Sequence, residues 1–226
     1  MSRSASTPVV AEHVDGLAHH FEDLEQQHEA ARLGMWAFLA TEVMFFGGLF
    51  LGYAVYRNLY PEAFRLASHH LDVLLGATNT AILIGSSLTM ALAIRSAQAG
   101  TRRGQVGFLL ATMALGTAFL VIKGFEYRHK WVDHLMPGPG FDVAAFGAEG
   151  PHARIFFSFY FVMTGLHAFH MVVGFGLLAW IARRASLGEF TPRHHTALEM
   201  TGLYWHFVDL VWIFLFPLLY LIGRHG

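Results

Sequence analysis

The sequence predicts an all-α membrane protein, a polytopic bundle of five transmembrane helices. Of its 226 residues, 54% are hydrophobic and only 14% are charged, whereas soluble domains carry about 25% charged residues. Five apolar windows are long enough to cross a hydrocarbon core of about 30 Å, which takes roughly 20 helical residues. The alternating pattern of a β-barrel is absent, so the spans are predicted to be helices.

Two parts of the chain are distinguished by composition. Residues 1–32 are predicted to form an acidic cytoplasmic extension, because carboxylates stand where a cleavable signal sequence would have a basic start and an apolar run. Residues 33–226 are predicted to form the membrane domain. Its spans are placed near residues 34–56, 73–95, 105–127, 154–182 and 202–222.

The first span contains one carboxyl group, that of Glu42, among apolar neighbours. An ionisable side chain at bilayer depth costs about 2.5–3.5 kcal/mol, so it needs a partner or a task. Two interpretations stay open: a proton-relay or lipid-headgroup site, or a neutral carboxyl hydrogen-bonded between helices. Gly48 and Gly52 on the same span form a G-xxx-G pattern suited to close helix packing.

The next two spans carry polar groups that favour packing roles. TNTAILIGSSLTM at 78–90 is rich in hydroxyl side chains, which hydrogen-bond between helices or to their own backbone. At the end of the third span, Lys123 and Glu126 stand three residues apart and can pair. We expect that pair at the membrane boundary, with Tyr127 and Trp131 as interfacial aromatics.

Histidines in the last two spans raise the question of a metal site. His167 and His170 share a helical face, and His206 lies in the last span. Imidazole suits Zn, Cu and Fe, but no carboxylate-rich helix accompanies these residues. Neutral histidines that hydrogen-bond across helix interfaces are therefore the favoured interpretation.

The last span contains WHFVDLVW at 205–212, which places His206 and Asp209 inside an apolar segment. Spaced three apart, they lie on one helical face, and Glu199 precedes His206 by seven residues on a similar face. Because ionisable groups at this depth require partners, this face is predicted to contact protein rather than lipid.

The links between spans predict the topology. One basic link holds Arg95, Arg102 and Arg103, and another holds Arg183, Arg184 and Arg193. The positive-inside rule then places the N-terminus in the cytoplasm and the C-terminus outside. Two interpretations of Arg183 and Arg184 stay open: they bind anionic lipid headgroups, or their charges only set the topology. The link 128–153 contains PGPG and is predicted to be an irregular outer loop.

Composition also excludes several classes of function. A net charge of −1 and a pI near 7 give no indication of nucleic-acid binding. The absence of cysteine excludes disulfides, thiolate zinc sites, iron–sulfur clusters and cysteine-ligated copper. No internal repeat is evident in the sequence, so an inverted-repeat transporter is not supported.

Several segments resemble subunit III of the haem–copper cytochrome oxidases. They agree in order and spacing over about residues 30–224. The segments are LGMWAFLATEVMFFGGLF at 33–50, TNTAILIGSSLTM at 78–90, FEY at 125–127, TGLHAFHMVVG at 164–174, HH at 194–195 and YWHFVDLVW at 204–212. The chain resembles the short form that lacks the first two of seven spans.

The resemblance implies a non-catalytic subunit of a proton-pumping cytochrome c oxidase in a bacterial inner membrane. Such a subunit binds no redox centre or metal itself. It stabilises subunit I, which carries the haems and copper, supports proton uptake, and holds structural phospholipid. Subunits I and II, phospholipids and cytochrome c, as electron donor to the complex, are the implied partners.

The resemblance also implies roles for individual residues. Glu42 matches the family's buried carboxylate beside a lipid-filled cleft, and Arg184 matches a basic position near a lipid headgroup. Family inter-helix polar positions are matched by His167, His170, Glu199, His206 and Asp209, and no catalytic residue is implied. Two alternatives stay open: a subunit III-like component of a quinol oxidase or nitric oxide reductase, and an independent membrane metalloenzyme using His167, His170 and His206.

Overall fold

The computed structural model describes residues 23–221, and these residues form a helical bundle that confirms the predicted fold class. The helices are α1 (Leu24–Leu59), α2 (Pro61–Ser68), α3 (Val73–Gln98), α4 (Arg102–Val132), α5 (Gly150–Leu187) and α6 (Thr196–Phe216). A 3₁₀ helix, Ala144–Glu149, leads into α5, and a π-helical turn, Pro217–Leu221, continues α6. Within residues 23–221, five helical segments are long and apolar enough to cross a membrane.

The first helix begins earlier than the apolar pattern predicts. Asp23 caps it by accepting a hydrogen bond from the Gln26 amide at 2.7 Å, so α1 continues through polar residues before it reaches the first span. Most of the predicted extension 1–32 lies outside the described residues. The part from Leu24 onward is helical and continuous with the span.

The short helix α2 is not predicted by the pattern of apolar spans. Pro61 opens it, a position at which the missing proline N–H costs no hydrogen bond. Its apolar face, which includes Phe64, is buried against α5 and the 3₁₀ helix. The irregular loop predicted at 128–153 is shorter than expected, because α4 continues to Val132, a 3₁₀ helix covers Ala144–Glu149 and α5 begins at Gly150. Phe141 and Phe146 in this link are buried and stack on each other.

Helix α6 lies at the centre of the bundle and packs against α1, α3 and α5, while α4 packs against α3 and α5. Close approach depends on small residues. A Cβ added at Gly174 would lie 2.9 Å from the Trp205 ring, and one at Gly116 would lie 3.1 Å from the same ring. Glycine at both positions therefore lets three helices close around one indole.

The links divide between the two ends of the bundle. At one end Arg102 donates a hydrogen bond to the Ser186 carbonyl, which ties the start of α4 to the end of α5. His28, in the first turns of α1, lies beside Arg184 at this same end. At the other end the Lys130 ammonium donates to the His70 carbonyl at 2.5 Å, joining α4 to the segment after α2. The two basic links predicted from sequence therefore share one end.

Candidate functional site: polar groups within the bundle

Glu42 meets His170 across the interface between α1 and α5. The Nε2 atom of His170 lies 3.2 Å from Glu42 Oε2, and both side chains are largely buried. The other ring nitrogen, Nδ1, lies 2.8 Å from the Leu166 carbonyl, which only accepts hydrogen bonds, so Nδ1 carries a proton. Nε2 then either accepts from a protonated Glu42 or, on an imidazolium, donates to its carboxylate. In both forms a hydrogen bond joins the two side chains.

His167 has different surroundings although it lies on the same helical face as His170. Its ring is buried between Phe119 and Trp212, each with a ring centroid 5.4 Å away. Neither ring nitrogen has a hydrogen-bond partner among residues 23–221. Likewise, within that part of the chain, no three His, Asp or Glu side chains are grouped as they would be to hold a metal ion.

Side chains of α6 hydrogen-bond to hydroxyl groups of α3. His206 Nδ1 lies 2.6 Å from Ser87 Oγ. The indole of Trp205 donates to Ser86 Oγ at 2.9 Å, and that of Trp212 donates to Thr80 Oγ1 at 3.0 Å. The hydroxyl-rich pattern of the second span is thus used toward α6 and also toward α4, where Thr89 Oγ1 lies 2.8 Å from Thr112 Oγ1.

Asp209 is buried beside this row without joining it. Asp209 is only 3% exposed, and neither of its carboxylate oxygens has a hydrogen-bond partner among residues 23–221. Ser87 lies next to it, but the Ser87 hydroxyl makes its short contact with His206. The structure brings Asp209 and His206 to the same groove, where, among residues 23–221, His206 has a hydrogen-bond partner and Asp209 has none.

The remaining two predicted residues lie at the basic end of the bundle. Glu199 contacts His195 at 3.1 Å and accepts a hydrogen bond from Gln98 at 3.4 Å. Arg184 donates from Nε to Glu189 at 2.6 Å, and its guanidinium lies 4.8 Å from the centroid of the Trp180 ring. Arg184 also lines an open groove of about 540 Å³.

A buried ionic cluster at the other end of the bundle differs from the sequence-based expectation. Lys123 and Glu126 do pair, with Nζ 2.9 Å from Oε2, but they are buried rather than interfacial. Two phenols close the cluster: Tyr160 and Tyr220 each accept from Lys123, at 3.1 and 2.8 Å, and each donates to Glu126, at 3.0 and 2.6 Å. The ammonium also lies 5.0 Å from the centroid of the Trp212 ring.

The sequence signal for this cluster is incomplete. The three-residue spacing identifies the ion pair, but the two tyrosines lie 37 and 97 residues from Lys123 along the chain. Burial arises because α5 and the π-helical turn Pro217–Leu221 cover that part of α4. The sequence therefore predicts the charge pair, but the two tyrosines can be assigned to the cluster only when the packing of the helices is known.

Comparison with known proteins gives consistent results. Residues 18–224 match the family model described as cytochrome c oxidase subunit III. The chain is 34% identical to cytochrome c oxidase subunit 3 of Corynebacterium diphtheriae, over 84% of this chain and 87% of the relative. It is 32% identical to the subunit 3 of Papio hamadryas, over 91% and 73%. It is 30% identical to quinol oxidase subunit 3 of Bacillus subtilis, over 90% and 94%.

Proposed function

The chain belongs to the cytochrome c oxidase subunit III family, and on this basis we propose that it is the non-catalytic third subunit of a proton-pumping terminal oxidase in aerobic respiration. Haem and copper are held by partner subunits, and this chain stabilises the catalytic subunit and supports proton uptake into it. Subunits I and II are its partners, and cytochrome c is the electron donor to the complex.

One observation carries this proposal: several buried polar groups form separate contacts that tie neighbouring helices together. Glu42 and His170 join α1 to α5, and Ser87 and His206 join α3 to α6. The Lys123 cluster joins α4, α5 and the C-terminal turn. Such contacts replace the water that is missing in the bilayer, and each of them stabilises the bundle itself.

Two grooves support a role in holding phospholipid. Between α1 and α6 a wholly apolar groove of about 230 Å³ is lined by side chains that include Phe46, Phe50 and Phe214, which suits an acyl chain. At the basic end, Arg184 donates from Nε to Glu189, and the other guanidinium nitrogens beside the groove can donate to an anionic headgroup. Lipid at these positions would pack the otherwise exposed side of α1.

We further propose that the protein lies in a bacterial inner membrane with its N-terminus in the cytoplasm and its C-terminus in the periplasm. The start of α1 and both basic links lie at one end of the bundle, and five spans place the C-terminus at the other. The positive-inside rule assigns the basic end to the cytoplasm.

Replacing Glu42 by glutamine is expected to leave the assembly and haem content of the oxidase unchanged. The glutamine amide can donate to the Nε2 atom of His170, so the link between α1 and α5 is kept while the ionisable carboxyl group is lost. Initial oxygen consumption per haem should therefore stay near that of the wild type, with an effect restricted to proton uptake or durability during turnover. A fully assembled variant that no longer reduces oxygen would assign Glu42 to the catalytic core and reject the proposal.

A second candidate is subunit III of a quinol oxidase. It is supported by the Bacillus subtilis relative, which is named quinol oxidase subunit 3 and of whose length the chain covers 94%. The two donors are separated by measuring oxygen uptake of the purified complex with reduced cytochrome c and with a quinol. A cytochrome c oxidase should take up oxygen with reduced cytochrome c as the donor.

A further inference from the structure

The outer face of the bundle contains a second groove next to α6, between α3 and α6, with a volume of about 380 Å³. We call it the α3–α6 groove. Its polar lining residues are Ser87, His206 and Asp209. Its apolar lining includes side chains that are strongly exposed in the isolated chain: Ile84 (55%), Leu88 (61%), Leu210 (49%) and Ile213 (43%). An apolar rim around polar groups is typical of a protein contact site.

Asp209 is the group in this groove that lacks a partner. It is 3% exposed, and neither of its carboxylate oxygens is hydrogen-bonded within residues 23–221. In the hydrocarbon region an unsatisfied polar group costs several kcal/mol. Because Asp209 lines a groove on the outer face of the bundle, a hydrogen-bonding group from outside residues 23–221 can reach it and remove this cost.

The depth of Asp209 restricts the chemistry of that group. It lies 13 residues after Thr196, the start of α6, which is roughly 20 Å along the helix at 1.5 Å per residue. That position is near the middle of a hydrocarbon core about 30 Å thick. Lipid headgroups do not reach this depth, and acyl chains carry no hydrogen-bonding groups. A side chain on a neighbouring transmembrane helix meets both requirements.

The groove on the other side of α6 provides an internal comparison. The α1–α6 groove is lined only by apolar residues, from Val43 to Phe214, and an acyl chain satisfies it fully. The α3–α6 groove differs because three polar side chains line it. The two sides of α6 therefore differ in the occupant they require: hydrocarbon on one side, and a polar side chain on the other.

We propose that the α3–α6 groove is the docking site for a transmembrane helix of the catalytic oxidase subunit, and that a hydrogen-bonding side chain of this helix pairs with Asp209. The assignment rests on the proposed function for the identity of the partner, and on Asp209 and its depth for the location. Serine, threonine, asparagine, glutamine, tryptophan and arginine provide suitable donors.

The first test introduces the photo-crosslinking residue benzoylphenylalanine at Ile84, with Leu110 on α4 as the matched control. Both positions are 55% exposed in the isolated chain, so each should accept the bulky residue without refolding. Irradiation of the full complex in its native membrane should join position 84, and not position 110, to the haem-carrying subunit. Adducts from position 84 that contain only lipid, or crosslinks to the haem-carrying subunit from position 110 alone, would place docking elsewhere while leaving the proposed function intact.

The second test compares Asp209→Leu with Asp209→Asn. Asparagine keeps a hydrogen-bonding group of the same size, whereas leucine removes it. Because Asp209 has no partner within the described chain, leucine should disturb docking rather than the bundle itself. Retention of the chain on the purified complex during detergent washing should fall about tenfold for leucine, the effect of one buried hydrogen bond, and remain near wild type for asparagine. Unchanged or stronger retention with leucine would show that lipid fills the groove and overturn the proposal.

Discussion

Replacing Lys123 by methionine is expected to destabilise the folded chain by about 3 kcal/mol, at the lower end of the range for breaking a buried ion pair. The substitution leaves the Glu126 carboxylate in a nearly water-free site, since that side chain is only 2% exposed. The loss stays at the lower end because Tyr160 and Tyr220 continue to donate to Glu126. The measurement is the free energy of unfolding in mixed detergent micelles, followed by circular dichroism.

The control for Lys123 is the double variant Lys123→Met with Glu126→Leu. Removing both charges leaves no unpaired ion, and replacing a buried ion pair with apolar residues is often neutral. The double variant should therefore be more stable than either single variant, so that a double-mutant cycle gives a clearly favourable coupling energy. Additive losses would mean that the two charges do not stabilise each other.

Replacing Trp205 by alanine is expected to cost about 3–5 kcal/mol, the range for removing a large aromatic side chain from a packed core. The indole is fully buried and lies against Gly116 and Gly174, so its removal leaves a cavity where α4, α5 and α6 meet. It also ends the hydrogen bond to Ser86 at 2.9 Å. The temperature at which half of the purified chain is lost from the monodisperse fraction should fall clearly.

Phenylalanine at position 205 separates packing from hydrogen bonding. Trp205→Phe retains most of the ring but lacks the N–H group, so we expect a loss of about 1–2 kcal/mol, mainly from the hydrogen bond to Ser86. If alanine costs no more than phenylalanine, the indole does not fill the space between the three helices as described, and packing at the glycines is not what holds them together.

The sequence predicts the spans well because each is set by a local property, the length of an apolar run. It also indicates correctly that Glu42 needs a partner, since the cost of a charge at bilayer depth is known without the fold. The identity of that partner depends on how α1 packs on α5, and 128 residues separate Glu42 from His170. Periodicity within one helix contains no information about that contact.

The histidines and the ion pair show the same limit. His167 and His170 are equivalent by spacing, yet one packs between aromatic rings and the other contacts the carboxyl group of Glu42. Lys123 and Glu126 are predicted to pair, but their burial depends on Tyr220, which lies 97 residues away in the π-helical turn that continues α6. Long-range packing therefore determines whether a polar group is interfacial or buried.

The central claim is that this chain is a structural subunit of an oxidase whose redox centres lie elsewhere. The most direct measurement is isolation of the tagged chain from its native membrane in mild detergent, with identification of the co-purified subunits, an optical spectrum and metal analysis. We predict that a haem–copper catalytic subunit co-purifies with the chain and that the preparation shows a Soret band. Once this chain is separated from that subunit, the chain itself should show neither the band nor bound metal. Stoichiometric iron or copper retained by the separated chain would contradict the account.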